Sequence, residues 1–168
     1  MSRERDREFA EFVRARRGGL LTTARLLAAG DGHLAEDLVQ TALVRVYLAW
    51  GRARGNPIAY ARRTLVNCTA DHHRRGFTRR ERTAADVPET PAAAAPSDEL
   101  DGELLAALGS LPPRMRAAVV LRHVHDLSVD DTAQALGCSV GTVKSQTARG
   151  LDKLRDALAV TTLEGDRR

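Results

Sequence analysis

A chain of 168 residues is long enough for one ordinary domain or two small helical lobes, and too short for a large multidomain enzyme. An apolar share of 43% supplies a core and excludes wholesale disorder, yet no run approaches the ~20 apolar residues that a membrane span requires. The net charge of +4 divides unevenly: residues 1–83 hold 17 basic and 9 acidic side chains and residues 84–168 hold 9 and 13, so the first half favours a polyanionic partner.

The opening Met-Ser-Arg-Glu-Arg-Asp-Arg has no apolar segment behind its charges, so no secretory signal is read there. Cys68 and Cys138 are too few for a disulfide framework, and a cytoplasmic location is expected. Period-two alternation is almost absent and β-branched residues are sparse, which predicts an all-α fold. The expected architecture is two small helical lobes, 7–76 and 99–160, joined by a flexible Pro/Ala-rich linker at 77–98. Within the linker, TAADVPETPAAAAPSD (83–98) carries three prolines and no apolar period.

In chain order, Phe9, Phe12 and Val13, then Leu20, Leu21, Ala24 and Leu27, keep helical spacing that Gly18-Gly19 is expected to interrupt. After the Gly30-Asp31-Gly32 turn, a helix over about 33–50 gathers Leu38, Val39, Ala42, Leu43, Val46 and Trp50 on one broad face. Its other face carries Asp37, Gln40, Thr41, Val44 and Leu48, a mixture unusual for plain solvent contact. Two explanations stand: a neighbouring helix covers Val44 and Leu48, or the face docks a partner protein. Gly51 to Gly55 reads as a loop, and Asn56-Pro57 opens the next helix with asparagine as N-cap.

That helix places Ile58, Ala61, Leu65, Cys68 and Thr69 on its apolar face and Tyr60, Arg63, Asn67 and Arg74 in a stripe opposite. Guanidiniums neutralise phosphate, tyrosine stacks on a base and asparagine bonds a base edge, so the stripe suits a nucleic-acid strand. Arg75, Arg79, Arg80 and Arg82 extend the positive field. In the second lobe, Ser128 caps a short helix with Asp131 at its third position, close to a capping box. Ala133, Gly137 and Val143 then fall at helix-turn-helix spacing: a small residue where helices approach, a left-handed turn residue and an apolar plug. Ser139 caps the second helix, with Val143, Leu151, Leu154 and Leu158 inward. Gly141, Thr142, Ser145, Ala148 and Arg149 face outward, with Lys144 at the edge. Small, polar and basic residues so placed fit a major groove.

Three blocks in this order, HLAEDLVQTAL, PIAYARRTLVNCTADHHRR and LPPRMRAAVVLRHVHDLSVDDTAQALGCSVGTVKSQTARGLDKLR, resemble the extracytoplasmic-function (group 4) RNA polymerase sigma factors of the sigma-70 superfamily, nearest the SigE-type members of GC-rich actinobacteria. The resemblance implies a non-enzymatic protein that binds core RNA polymerase and promoter DNA to start transcription, with no cofactor, no metal and no membrane insertion. It implies that Asp37, Gln40, Thr41, Val44 and Leu48 meet the β′ clamp helices, with a further contact to the β subunit. It places Tyr60, Arg63, Asn67 and Arg74 on the opened −10 strand, the base drawn out of its stack. It places Thr142, Lys144, Ser145, Ala148 and Arg149 on the −35 duplex. An anti-sigma factor is a further partner the resemblance allows. Many family members carry tryptophan at Tyr60, some carry an aromatic in the Gly51–Gly55 loop, and some a bulky residue at Ala148; these departures bear on promoter sequence.

Two rival readings differ in what they require. A stand-alone helix-turn-helix repressor would work as a dimer, and no dimerisation helix is evident. A metal-dependent hydrolase would draw on Cys68, Asp71, His72 and His73, of which Cys68 and His72 share one helical face. Cys68 and His72 are expected on the apolar side, His73 elsewhere, and no third ligand is evident. His123 and His125 read as helix-end and turn residues.

Overall fold

The computed structural model of the protein describes residues 2–82 and 101–165, with the side chains of 80–82 and of 161, 162, 164 and 165 outside that description. Among the described residues the fold is all-α: α1 (Ser2–Leu27), α2 (Gly32–Leu48), α3 (Trp50–Ala53), α4 (Pro57–Arg82), α5 (Gly102–Gly109), α6 (Pro113–Val119), α7 (Val129–Leu136) and α8 (Val140–Gly165). A π-helical turn, Val120–Val124, follows α6 directly.

Gly18-Gly19 does not interrupt α1. Two helical glycines cost about 1 kcal/mol each against alanine, whereas burying a leucine returns about 1.5–3 kcal/mol, and Leu20 and Leu27 are both fully enclosed downstream. The Thr22 and Thr23 hydroxyls also donate to the Gly18 and Gly19 carbonyls, at 3.2 and 3.0 Å. The chain then reverses through Ala29 and Gly30, both at positive φ, and Asp31 caps α2 by accepting from the Leu34 amide at 3.0 Å. The predicted apolar face of α2 is the core face: Leu38, Val39, Ala42, Leu43, Val46 and Trp50 are all buried. Phe9 of α1 meets Trp50 and Tyr47 edge-on, with ring centroids 5.4 and 5.1 Å apart, and the Trp50 indole donates to Glu8. The segment read as a Gly51–Gly55 loop instead begins inside the helical turn α3. The Asn56 side chain accepts from the Ala59 amide at the start of α4, as the cap requires. Helix α4 continues through 77–82, so the linker does not begin at 77; residues 83–98 lie outside the described residues.

In the second lobe, Pro113 opens α6, Ser128 caps α7 through the Asp131 amide, and Ser139 caps α8 through the Thr142 amide. Gly137 holds the left-handed conformation between α7 and α8 (φ 64°, ψ 40°), and Val143 is completely enclosed at their junction. Helix α6 crosses α8 at Gly150, where an added Cβ would stand 2.5 Å from Val119 Cγ2.

The lobes are not held apart. Helix α4 packs against α6 and α7, and α1 packs against α5, α6 and the π-helical turn. Buried Arg116 donates across the seam to the Leu27 carbonyl at 2.7 Å, and His125 Nε2 lies 2.8 Å from Thr23 Oγ1.

Candidate nucleic-acid interface

Three surfaces carry the residues singled out by sequence, and each rests on a different helix. On α2, Asp37, Gln40, Thr41, Val44 and Leu48 all face solvent, with Val44 53% and Leu48 78% exposed. Among the described residues no neighbouring helix covers the two aliphatics, so that explanation for this mixed face does not hold. Burial of Leu38, Val39 and Val46 on the inner side fixes which way the outer side points.

On α4, Ala61, Leu65, Cys68 and Thr69 are buried and Ile58 is half-buried, leaving Arg63, Asn67 and Arg74 exposed and Tyr60 half-buried. The stripe also borders the second lobe. Asn67 and Arg74, with His73, border a cleft of about 360 Å³ whose far wall is Pro113, Arg114, Ala117 and Leu136. Tyr60 and Arg63 border a second cleft of about 400 Å³ closed by Leu127, Asp131, Gln134 and Ala135. All four residues therefore border the seam with the second lobe, Arg63, Asn67 and Arg74 remaining exposed.

Arg74 also has a partner that sequence reasoning missed. Its guanidinium donates to Asp71, which accepts from Arg45 of α2 at 3.3 Å through its other oxygen. The Arg74 bond first, and then Arg45, hold the Asp71 carboxyl below the usual carboxylate range against partial desolvation. Arg74 thus carries less free charge than Arg63. An i,i+3 Asp–Arg spacing was the available signal for the first bond; Arg45 had none, being on another helix.

On α8, Lys144, Ser145, Ala148 and Arg149 are exposed and Thr142 is half-buried, while Val143 and Leu154 face inward. The Thr142 carbonyl accepts from the Ser145 hydroxyl at 3.1 Å, and Ser139 Oγ lies 2.9 Å from Thr142 Oγ1. A polar, small-residue strip on the first turns of a capped helix has the shape and donors for a major groove.

The metal reading loses its geometry. Cys68 is buried, and burial pushes its thiol up, away from the thiolate a metal needs. His72 is exposed rather than on the apolar side, and it is His73 that turns toward the 360 Å³ cleft. Asp71 is engaged by two arginines. Among the described residues, no three His, Cys, Asp or Glu side chains gather as a metal site, and no helix is long and apolar enough to cross a membrane. His125, read from sequence as a turn residue, does end the π-helical turn but also contacts the first lobe.

Two family profiles match in sequence order, Sigma-70 region 2 over residues 12–80 and Sigma-70 region 4 over residues 101–154. The RNA polymerase sigma-E factor of Streptomyces coelicolor is 40% identical over 160 residues, covering 94% of this chain and 89% of that one. The ECF RNA polymerase sigma factor SigE of Mycolicibacterium smegmatis is 37% identical over 138 residues, 77% of this chain and 54% of that one. Among solved structures, the sigma factor RpoE of Bartonella quintana, crystallised with the anti-sigma factor NepR, superposes with a TM-score of 0.70 at 25% identity, covering 91% of this chain and 98% of that one.

Proposed function

The chain belongs to the sigma-70 superfamily of RNA polymerase sigma factors, in the extracytoplasmic-function group, and from that membership we propose how its three surfaces divide the work. It serves transcription initiation, binding core RNA polymerase and promoter DNA. We assign core docking to Asp37, Gln40, Thr41, Val44 and Leu48 on α2, against the β′ clamp helices, with the second lobe adding a contact to the β subunit. Tyr60, Arg63, Asn67 and Arg74 hold the opened −10 strand, and Thr142, Lys144, Ser145, Ala148 and Arg149 read the −35 duplex. The work is binding rather than bond-making, so no residue is given a catalytic role, and the protein acts in the cytoplasm. The working units are 7–76 and 99–160.

The observation that carries this reading is the uncovered α2 face. Val44 and Leu48 are exposed beside an acidic and an amide side chain, on a helix whose other side is fully packed. A stand-alone repressor leaves that face without a use; a polymerase-bound factor requires it. The mechanism also needs the lobes to part, because α6 and α7 stand across the α4 stripe. Core binding through α2 leaves the seam free to open and expose Asn67 and Arg63 to a single strand. An anti-sigma factor, as in the crystallised RpoE complex, is a fitting inhibitory partner for a chain whose lobes already approach one another.

Co-purification with core RNA polymerase tests the docking assignment. Asp37→Ala combined with Gln40→Ala is expected to abolish it while helicity is unchanged; retention of wild-type association overturns the assignment. Arg149→Ala is expected to weaken −35 duplex binding and leave core association intact, and loss of core association instead would show the surfaces to be wrongly divided.

A further inference from the structure

A small cavity of about 120 Å³ lies where α1, α4 and the end of the π-helical turn meet. Its walls include Arg16 and Gly19 of α1, Arg62 of α4 and His125 of the second lobe, with Thr23 beneath, and none of its lining residues is acidic. Elsewhere arginines pair with carboxylates: Arg7 with Glu4, Arg17 with Glu36, Arg45 and Arg74 with Asp71. Among the described residues neither Arg16 nor Arg62 has a hydrogen bond or an ion pair, although Arg62 is half-buried. Burial and then the nearby Arg16 charge both act against the Arg62 guanidinium, lowering its pKa, which is the mark of like charges held together without a counterion.

We propose that Arg16 and Arg62, with His125 as the wall from the second lobe, form a binding site for a small dianionic oxyanion, inorganic phosphate or the terminal phosphate of a phosphomonoester, across the seam between the two lobes. The volume suits such a group. A single ordered water needs only ~10–15 Å³ of such space, so a tetrahedral oxyanion with attendant water is accommodated. Two guanidiniums supply forked donors matched to phosphate oxygens. The exposed Arg16 side leaves an entry path, while the floor, made by Leu20 and Thr23, is closed. The charged groups facing His125 are Arg16 from α1, Arg62 from α4 and Asp126 beside it. An anion there offsets the two arginines, which Asp126 alone does not.

The site exists only while the lobes are together, because Arg16 and Arg62 come from the first and His125 from the second. Arg62 also borders the cleft that holds Tyr60 and Arg63. Phosphate therefore stabilises the closed arrangement by mass action and disfavours exposure of the α4 stripe. This goes beyond promoter reading and does not depend on it.

Thermal unfolding of the full-length chain, titrated with potassium phosphate against potassium chloride at matched pH and ionic strength, tests the site. The expected result is a saturable rise in Tm with phosphate only, with the apparent Kd raised about tenfold or more in Arg16→Gln and in Arg62→Gln. Arg16 is exposed and Arg62 only half-buried, so both variants are expected to fold, with far-UV circular dichroism as the check. A fluorophore pair, one on each lobe, is expected to report a narrower interlobe distance as phosphate is added. A non-saturating rise shared equally by both variants would be general salt exclusion and would overturn the proposal. So would a response to a dinucleotide carrying only a phosphodiester, in the absence of one to phosphate. Neither polymerase nor promoter is present, so failure here is distinct from failure of the transcriptional role.

Discussion

Among the described residues buried Arg116 meets no carboxylate; its guanidinium donates instead to the carbonyls of Leu108, Gly109 and Leu111 and, across the seam, of Leu27. The Leu27, Leu108 and Gly109 carbonyls end α1 and α5 and the Leu111 carbonyl follows α5, so the cation also meets the negative end of each helix. Arg116→Met is expected to lower stability by about 3 kcal/mol in urea unfolding, because several buried acceptors lose their donor at once. Lysine, with one ammonium in place of a planar fork, is expected to restore only part of it. His125 gives a pH dependence at the same scale. The Thr23 hydroxyl donates its one proton to Gly19, so the imidazole donates to Thr23 through Nε2. Burial first, and then the Arg62 charge, depress the His125 pKa, with Asp126 opposing. The folded state therefore disfavours the second proton. Its stabilising contribution is complete above the unfolded value of about 6.5 and is lost as pH falls through the folded value. Unfolding midpoints measured from pH 8 to pH 5 in chloride buffer should fall more steeply for the wild type than for His125→Gln; parallel curves would remove His125 from this role.

At the scale of elements, the two crossings that build the second lobe depend on side-chain size. Gly150 of α8 leaves no room for a Cβ: Val119 Cγ2 would lie at 2.5 Å and Met115 Cγ at 3.1 Å. A methionine side chain yields, but a β-branched valine does not, so Gly150→Ala is expected to cost about 1–3 kcal/mol by spreading α6 from α8. Denaturant unfolding measures it, and an unchanged midpoint would mean that the crossing is looser than its geometry indicates. Nothing in local sequence marked Gly150, because a lone glycine inside a helical period carries no sign of what crosses it. By contrast, the helix-turn-helix was fully legible: Ser128, Ala133, Gly137, Ser139 and Val143 each perform the local task their chemistry indicates. Local rules misled where burial outweighed them. Gly18-Gly19 stays helical because the leucines beyond it are enclosed, and the Gly51–Gly55 segment starts helical because Trp50 and Ala53 are buried.

For the molecule as a whole, periodicity reached the inner and outer faces of α2, α4 and α8, His72 apart, but not the relation between lobes. That relation rests on contacts such as Thr23–His125 and Leu27–Arg116, which lie 102 and 89 residues apart and leave no pattern in any window of sequence. The linker composition led to an expectation of two flexibly joined lobes. The described residues instead pack lobe on lobe, with the α4 stripe bordering the second lobe. The charge asymmetry acquires a location from this: the basic first half places Arg62, Arg63 and Arg74 along the seam between the lobes. The most direct test is run-off transcription by core RNA polymerase from a two-element promoter mapped for this chain, in wild type and in Asn67→Ala. A transcript that requires the added chain, and that falls by about tenfold or more in Asn67→Ala while core association persists, is the predicted result. Promoter DNA bound tightly without polymerase, and no transcript with it, would contradict the account.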